Sequence, residues 1–216
     1  MRGLSPTTLP DLEAFDVDAV LRHAGEQHGA GLVLLCSFQK EESVLVDAVS
    51  RVAPQTRIVT IDTGVLFPET LAAWKAFEDR FGVHVDVEDA SRPGNPWTGP
   101  EDCCGSEKVA GLERALSDAT AWITGIRREQ SPTRANAKKL EWDEKRGIPK
   151  YNPLADWTDK DLWKHIAARD LPYHELHDQG YSSIGCAPCT QPGDGREGRW
   201  AGQDKTECGL HVQEIG

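Results

Sequence analysis

Short apolar runs alternating with segments of helical periodicity are the feature that most restricts the fold of this chain. "GLVLLCS" (Gly31 to Ser37) is an unbroken apolar run of the kind buried on both faces of a parallel sheet, and "EESVLVDAVSRV" after it returns to helical spacing. The pattern repeats. "RIVTID" precedes "PETLAAWKAFEDRF", in which Pro68 suits a first helical turn and Leu71, Trp74 and Phe77 are expected to face inward. "VHVDVED" alternates Val83, Val85 and Val87, a helix is expected near Glu107 to Leu116, and "AWITGI" (Ala121 to Ile126) reads as a fourth strand. Ahead of the first strand, "DLEAFDVDAVLRHA" (Asp11 to Ala24) spaces Leu12, Phe15, Val20, Leu21 and Ala24 along one helical face. Such alternation predicts an α/β fold built on a doubly wound, mainly parallel sheet.

After Ser131 the periodicity is lost, apart from "TDKDLWKHIAA", with Thr158 as N-cap and Leu162, Trp163 and Ile166 on one side. The closing stretch from Tyr181 is rich in Gly, Pro and charge. A chain of 216 residues suits one well-cored domain. The expected organisation is therefore a single α/β domain over residues 1–190 and an irregular, mobile C-terminal tail over residues 191–216.

Lys and Arg total 24 against 35 Asp and Glu, a formal charge of -11, which disfavours extended binding to a nucleic-acid backbone and leaves room for a small anionic ligand. "MRGLSPTTLPDLEAFD" carries no apolar leader, and no stretch approaches the roughly 20 apolar residues of a membrane span. The expected location is the cytoplasm, with no membrane partner. Whether copies assemble into a homo-oligomer is left open by the sequence.

In doubly wound sheets ligands sit beyond the carboxyl ends of strands. Three segments occupy that position: "CSFQKEES", "IDTGVLFPE" and "TGIRREQSPTR". The last brings Arg127, Arg128 and Arg134 together, a cradle for an anionic group in an acidic chain.

Six cysteines are too few for a disulfide-rich miniprotein, so metal binding or redox chemistry is the better reading. Cys186 and Cys189 form a C-x-x-C in "GCAPCT", and Cys103 and Cys104 stand side by side in "EDCCGSEK". Adjacent cysteines seldom bond to each other, because the intervening peptide plane holds the side chains away from relaxed disulfide geometry. Four thiolates suit a structural zinc or an iron-sulfur cluster, and spacing alone does not separate the two; Cys186 and Cys189 also fit a redox pair. Cys208, in "KTECGLH", suits either a mobile nucleophile beside His211 or an inert surface thiol. Cys36 lies in an apolar run and reads as a small buried hydrophobe.

Taken together, "CCGSEK", "GCAPC", "ECGLH", "IDTGVLFPET" and "WITGIRREQSP" resemble the assimilatory adenylylsulfate (APS) reductases, relatives of the PAPS reductases, from about Gly31 to His211. The resemblance implies an adenine-nucleotide hydrolase-like fold and a 4Fe-4S cluster held by Cys103, Cys104, Cys186 and Cys189. It implies that Cys208 attacks the sulfur of APS to give an S-sulfocysteine, which thioredoxin or a similar dithiol then cleaves. Positive groups nominated on the same ground are Lys108, Arg127 or Arg128, Arg196 and Arg199. The nucleotide is expected near Ser37 and Phe38 and near Asp62, Thr63 and Gly64, where helix N-termini offer N-H groups to phosphate or sulfate oxygens. The chain departs from the common S-G-A-E-D form of this loop, carrying "FQKEES" with the bulkier Gln39 and Lys40, while Glu41 matches.

Overall fold

The structure, a computed structural model, describes residues 5–91 and 106–199. Six strands form one sheet: β1 (Leu32–Leu35), β2 (Arg57–Asp62), β3 (Val85–Asp89), β4 (Ala121–Ile123), β5 (Leu140–Asp143) and β6 (Ile148–Tyr151). Their order is β3-β2-β1-β4-β6-β5, parallel throughout except for the β5–β6 pair. Side-chain alternation sorts the core into two layers. Leu32, Leu34, Ile58, Ala121 and Ile123 join one apolar cluster, while Val33, Val59, Ile61 and Trp122 join another.

Helices α1 (Val17–His28), α2 (Lys40–Val52), α3 (Pro68–Phe81) and α5 (Asp159–Arg169) contribute to the first cluster, and α4 (Ser106–Ala115) covers the opposite face through Leu112 and Ala115. The chain therefore winds outward from β1 to β3 on one face and crosses back through α4 to reach β4 beside β1. This is the expected doubly wound α/β sheet, and the strand order reverses between β1 and β4, where such folds place ligands.

Several local expectations differ. The first helix begins at Val17 because the Asp16 carboxylate accepts the Ala19 N-H at 2.8 Å and caps it there. Phe15 lies ahead of the helix and is exposed. Leu71 is 50% exposed, and α3 buries Thr70, Ala73 and Phe77 instead. Val87 is exposed on β3, which forms an edge of the sheet.

The β5–β6 hairpin lies in the stretch without periodicity. It turns at Gly147, whose φ of 67° is open to glycine. Its charges are paired, Lys150 with Glu141 at 2.9 Å and Arg146 with Asp143 at 2.8 Å, and both cations also lie over the Trp122 ring.

Residues 191–199 pack on the body: Gln191 N-H bonds Gly198 O, Gly193 N-H bonds Gly180 O, and Arg199 is buried. The rest of the expected tail lies outside the described residues. Among the described residues no helix is long and apolar enough to cross a membrane.

Candidate active site

Between β1 and α2 the chain turns sharply at Phe38, whose φ of 59° is a left-handed conformation costing a bulky residue roughly 1–2 kcal/mol. Burial of its ring offsets that strain: Phe38 stacks on Trp74 at 5.5 Å and meets Phe77 edge-on at 5.7 Å. The turn places the first residues of α2 on the wall of a cavity of about 370 Å³. The positive end of a helix therefore borders the cavity, a favourable place for an anion.

The loop after β4 (Thr124 to Gln130) and the segment Ser182 to Gly185 also line the cavity, with Lys108 from α4 and with Arg134, Arg196 and Arg199. Gly125 is required here, since a Cβ would come within 2.6 Å of Glu42 Oε1 and 2.8 Å of Glu41 Cβ. The lining cations Lys40, Lys108, Arg127, Arg134, Arg196 and Arg199 outnumber the lining carboxyls Glu41, Glu42, Glu129 and Asp159, an excess suited to an anionic ligand in a chain of charge -11.

Two adjacent carboxyls at the start of α2 are held in opposite states. Burial works to raise the Glu41 carboxyl, but the Arg127 guanidinium and the Lys40 ammonium overcome it and hold Glu41 below its ordinary value. Glu42 is pushed up to about 8 by burial and by the Glu41 charge, despite accepting bonds from Ser37 Oγ at 2.9 Å and Gln39 N at 3.1 Å. Near neutral pH, then, one carboxyl is charged and its neighbour mostly protonated.

Beside the cavity, Ser182 to Gly185 runs directly into the cysteine turn. Cys186 caps a short 3-10 turn that ends at Cys189, and the two are 1% and 6% exposed. Thr63 Oγ1 lies 3.1 Å from Cys186 Sγ, and Ala187 N-H bonds Val65 O, so the end of β2 holds the turn in place. Both cysteines share an apolar cluster with Leu112, Ala115 and Leu116, at and just after the end of α4. That helix begins two residues after Cys104.

Residues 31–192 match the model of the phosphoadenosine phosphosulfate reductase domain. The chain belongs to that family. Among reductase relatives, a Gloeobacter violaceus protein named phosphoadenosine 5'-phosphosulfate reductase is 42% identical, with 97% of this chain and 96% of the relative aligned. A Bacillus pumilus protein named adenosine 5'-phosphosulfate reductase is 44% identical, with 89% of each aligned. The crystal structure of a phosphoadenylyl-sulfate reductase from Candida auris, a phosphate complex, superposes with a TM-score of 0.68 at 23% identity, covering 86% of this chain and 98% of that one. That likeness speaks for the fold.

In this member of the reductase family, Ser37, Phe38, Glu41, Lys108, Arg127, Arg196 and Arg199, all nominated from the sequence, line the cavity. Asp62, Thr63 and Gly64 do not; β2 contributes Thr60 and Ile61, and Thr63 serves the cysteine turn. Arg128 does not line the cavity either, because its side chain turns towards Glu13 and the Ala137 carbonyl. Arg127 does, but its guanidinium bonds Glu41, Glu129 and Asp159, so it braces the wall.

Cys36 is a buried thiol raised well above its ordinary value by burial, in keeping with its reading as a hydrophobe. Cys103, Cys104, Cys208 and His211 lie outside the described residues.

Reading the sequence as a reductase missed Glu42 and Gln130. Gln130 donates to Glu41 Oε1 at 2.9 Å and to the Gly125 carbonyl at 3.1 Å. It also overlooked the use made of Lys40, whose ammonium pairs with Asp159 at the start of α5. The pairing of charges between segments this far apart leaves no local signal.

Proposed function

We propose that the chain reduces APS to sulfite and AMP in sulfate assimilation, taking electrons from thioredoxin or a similar dithiol in a cytoplasm that keeps thiols reduced. One observation carries this reading: the wall segment of the cation-edged cavity, Ser182 to Gly185, continues without a break into the buried Cys186–Cys189 turn. An anion site and a buried cysteine pair thereby share one piece of chain. Relatives bear both APS and PAPS reductase names. The four paired cysteines, by resemblance, favour APS.

The donor set fits an iron-sulfur cluster. Two buried cysteines share one turn in apolar surroundings, with the Thr63 hydroxyl 3.1 Å from Cys186 Sγ, and Cys103 and Cys104 precede in sequence the helix that shares their apolar cluster. Cys103, Cys104, Cys186 and Cys189 would hold a 4Fe-4S group, which supplies structural and electrostatic support when bound. Among the described residues no group of three or more His, Cys, Asp or Glu side chains is placed to hold a metal ion.

The chemistry belongs to Cys208, nine residues beyond Arg199 and thus within about 30 Å of the cavity wall along an extended chain. Its thiolate, with His211 and Lys205 nearby in sequence to favour the charged form, attacks the sulfur of APS. A sulfur–sulfur bond forms, the sulfur–oxygen bond to AMP breaks, and AMP leaves with that electron pair. Lys108, Arg196 and Arg199 neutralise the phosphate and sulfuryl oxygens as the thiolate approaches. One thiol of the dithiol protein then attacks the Cys208 sulfur and sulfite departs with the pair of the broken sulfur–sulfur bond. The second thiol resolves the mixed disulfide, leaving the dithiol oxidised and Cys208 restored.

The test is the intact mass of anaerobically purified protein after incubation with APS, and separately with PAPS, without thioredoxin, followed by mapping of any adduct. A sulfo group on Cys208 from APS alone is expected. An adduct from PAPS alone keeps the chemistry and overturns the substrate. No adduct from either, with AMP still bound, overturns the reductase reading.

A further inference from the structure

Both peptide groups of Ile184 are gripped, and from different parts of the fold. Its N-H donates to Gln39 Oε1 at 2.7 Å, and its carbonyl accepts from Arg199 Nη1 at 3.1 Å. Gln39 is the N-cap of α2, and its amide also reaches Ser37 Oγ at 3.2 Å. Ser37 in turn donates to Glu42. The next residue after Ile184 is Gly185, and the Arg199 guanidinium lies against its bare backbone, within 2.5 Å of where a Cβ would sit. Arg199 Nη1 also lies 3.4 Å from Ser183 Oγ, and the residue is buried on the cavity wall.

We propose that Gln39 is a positioning residue for Arg199. Acting through Ile184, it fixes the wall segment against which the guanidinium is seated, and so sets where a cation meets an anionic ligand near the α2 N-terminus. The device extends the nucleotide reading given above, on which it rests for its ligand.

The experiment compares wild type with Gln39→Met, which keeps side-chain bulk without the acceptor, and Gln39→Glu, which keeps the acceptor. Gly185→Ala, Arg199→Met and the Gln39→Met/Arg199→Met double variant complete the set. Affinities for AMP and for adenosine are measured by calorimetry. Gln39→Met is expected to lower the AMP-to-adenosine affinity ratio about three- to tenfold, the scale of one hydrogen bond. Gln39→Glu should restore it. Gly185→Ala should lower it by displacing the guanidinium, and Gln39→Met should add nothing once Arg199 is gone. Additive losses in the double variant, or an unchanged ratio in Gln39→Met, overturn the proposal.

Amide hydrogen exchange of Ile184 in ligand-free protein supplies a measurement that needs no nucleotide. Faster exchange in Gln39→Met but not in Gly185→Ala is expected, and unchanged exchange in Gln39→Met overturns the brace. A wild type whose Ile184 is protected by Gln39 but which binds no AMP upholds the brace and overturns the nucleotide reading.

Discussion

The Arg127 guanidinium meets the Glu41 carboxylate at 2.9 Å with the two side chains 5% and 6% exposed, joining the loop after β4 to the first turn of α2. A buried pair of this kind contributes little relative to an apolar replacement, yet losing one member leaves the other charged and unpaired in low dielectric. Arg127→Met should therefore destabilise the fold by about 3–5 kcal/mol in urea unfolding. The double variant with Glu41→Gln should lose clearly less than the sum of the single losses. A single-variant loss below about 1 kcal/mol would contradict a brace at this position.

The two neighbouring carboxyls act on stability in different pH windows. Glu42 has its folded value raised from 4.5 to about 8, so between those values the folded state keeps a proton that the unfolded chain has released. Stability falls as pH rises through that window, by up to about 1.4 kcal/mol per pH unit, and the contribution levels off above it. Glu42→Gln should remove this slope, so its advantage over wild type grows from pH 5 to pH 8 in urea melts. Glu41 is depressed below 4.5, and its contribution is present above that value and lost as pH falls through the folded value. Glu41→Gln should accordingly alter the profile on the acid side.

The cysteines separate into two kinds. Cys186→Ser should strip most iron from anaerobically purified protein, read as iron per chain and visible absorbance. Cys36→Ala should leave both unchanged, since that thiol sits in the larger apolar cluster, apart from the one that contains Cys186 and Cys189. Equal iron content in wild type and Cys186→Ser would remove the ligand assignment.

Phe38 combines a buried ring with a left-handed backbone, and two substitutions pull those apart. Phe38→Ala should cost about 3–5 kcal/mol for the lost ring. Phe38→Gly loses the same ring but adopts φ of 59° without strain, so it should be more stable than Phe38→Ala by about 1 kcal/mol. Thermal unfolding of the pair decides it, and the reverse order would show that the turn relaxes when the ring is gone.

Where a segment's own residues determine its geometry, the sequence was legible. β2 and α3 fall where "RIVTID" and "PETLAAWKAFEDRF" predict, because apolar runs, Pro68 and helical spacing all agree. Thr158 caps α5 as expected, accepting the Asp161 N-H at 3.1 Å. What escaped depends on partners remote in sequence. "LEWD" and "IPKY" lie in the stretch after Ser131 where periodicity is lost, yet they pair as strands whose charges are matched within the hairpin and over Trp122. Arg127 and Arg128 look alike in "GIRREQ", but one is enclosed by three carboxylates and the other turns towards Glu13.

The bond between Gln39 and Ile184 joins residues 145 positions apart, whereas the last strand of the sheet ends at Tyr151. During synthesis all six strands of the sheet have left the ribosome before the Ser182–Gly185 wall segment emerges. Completing the sheet and closing the site are thus separate events in the life of the chain, and a translation product cut short after α5 would own the scaffold and lack the side of the chamber built by Ser182–Gly185, Arg196 and Arg199.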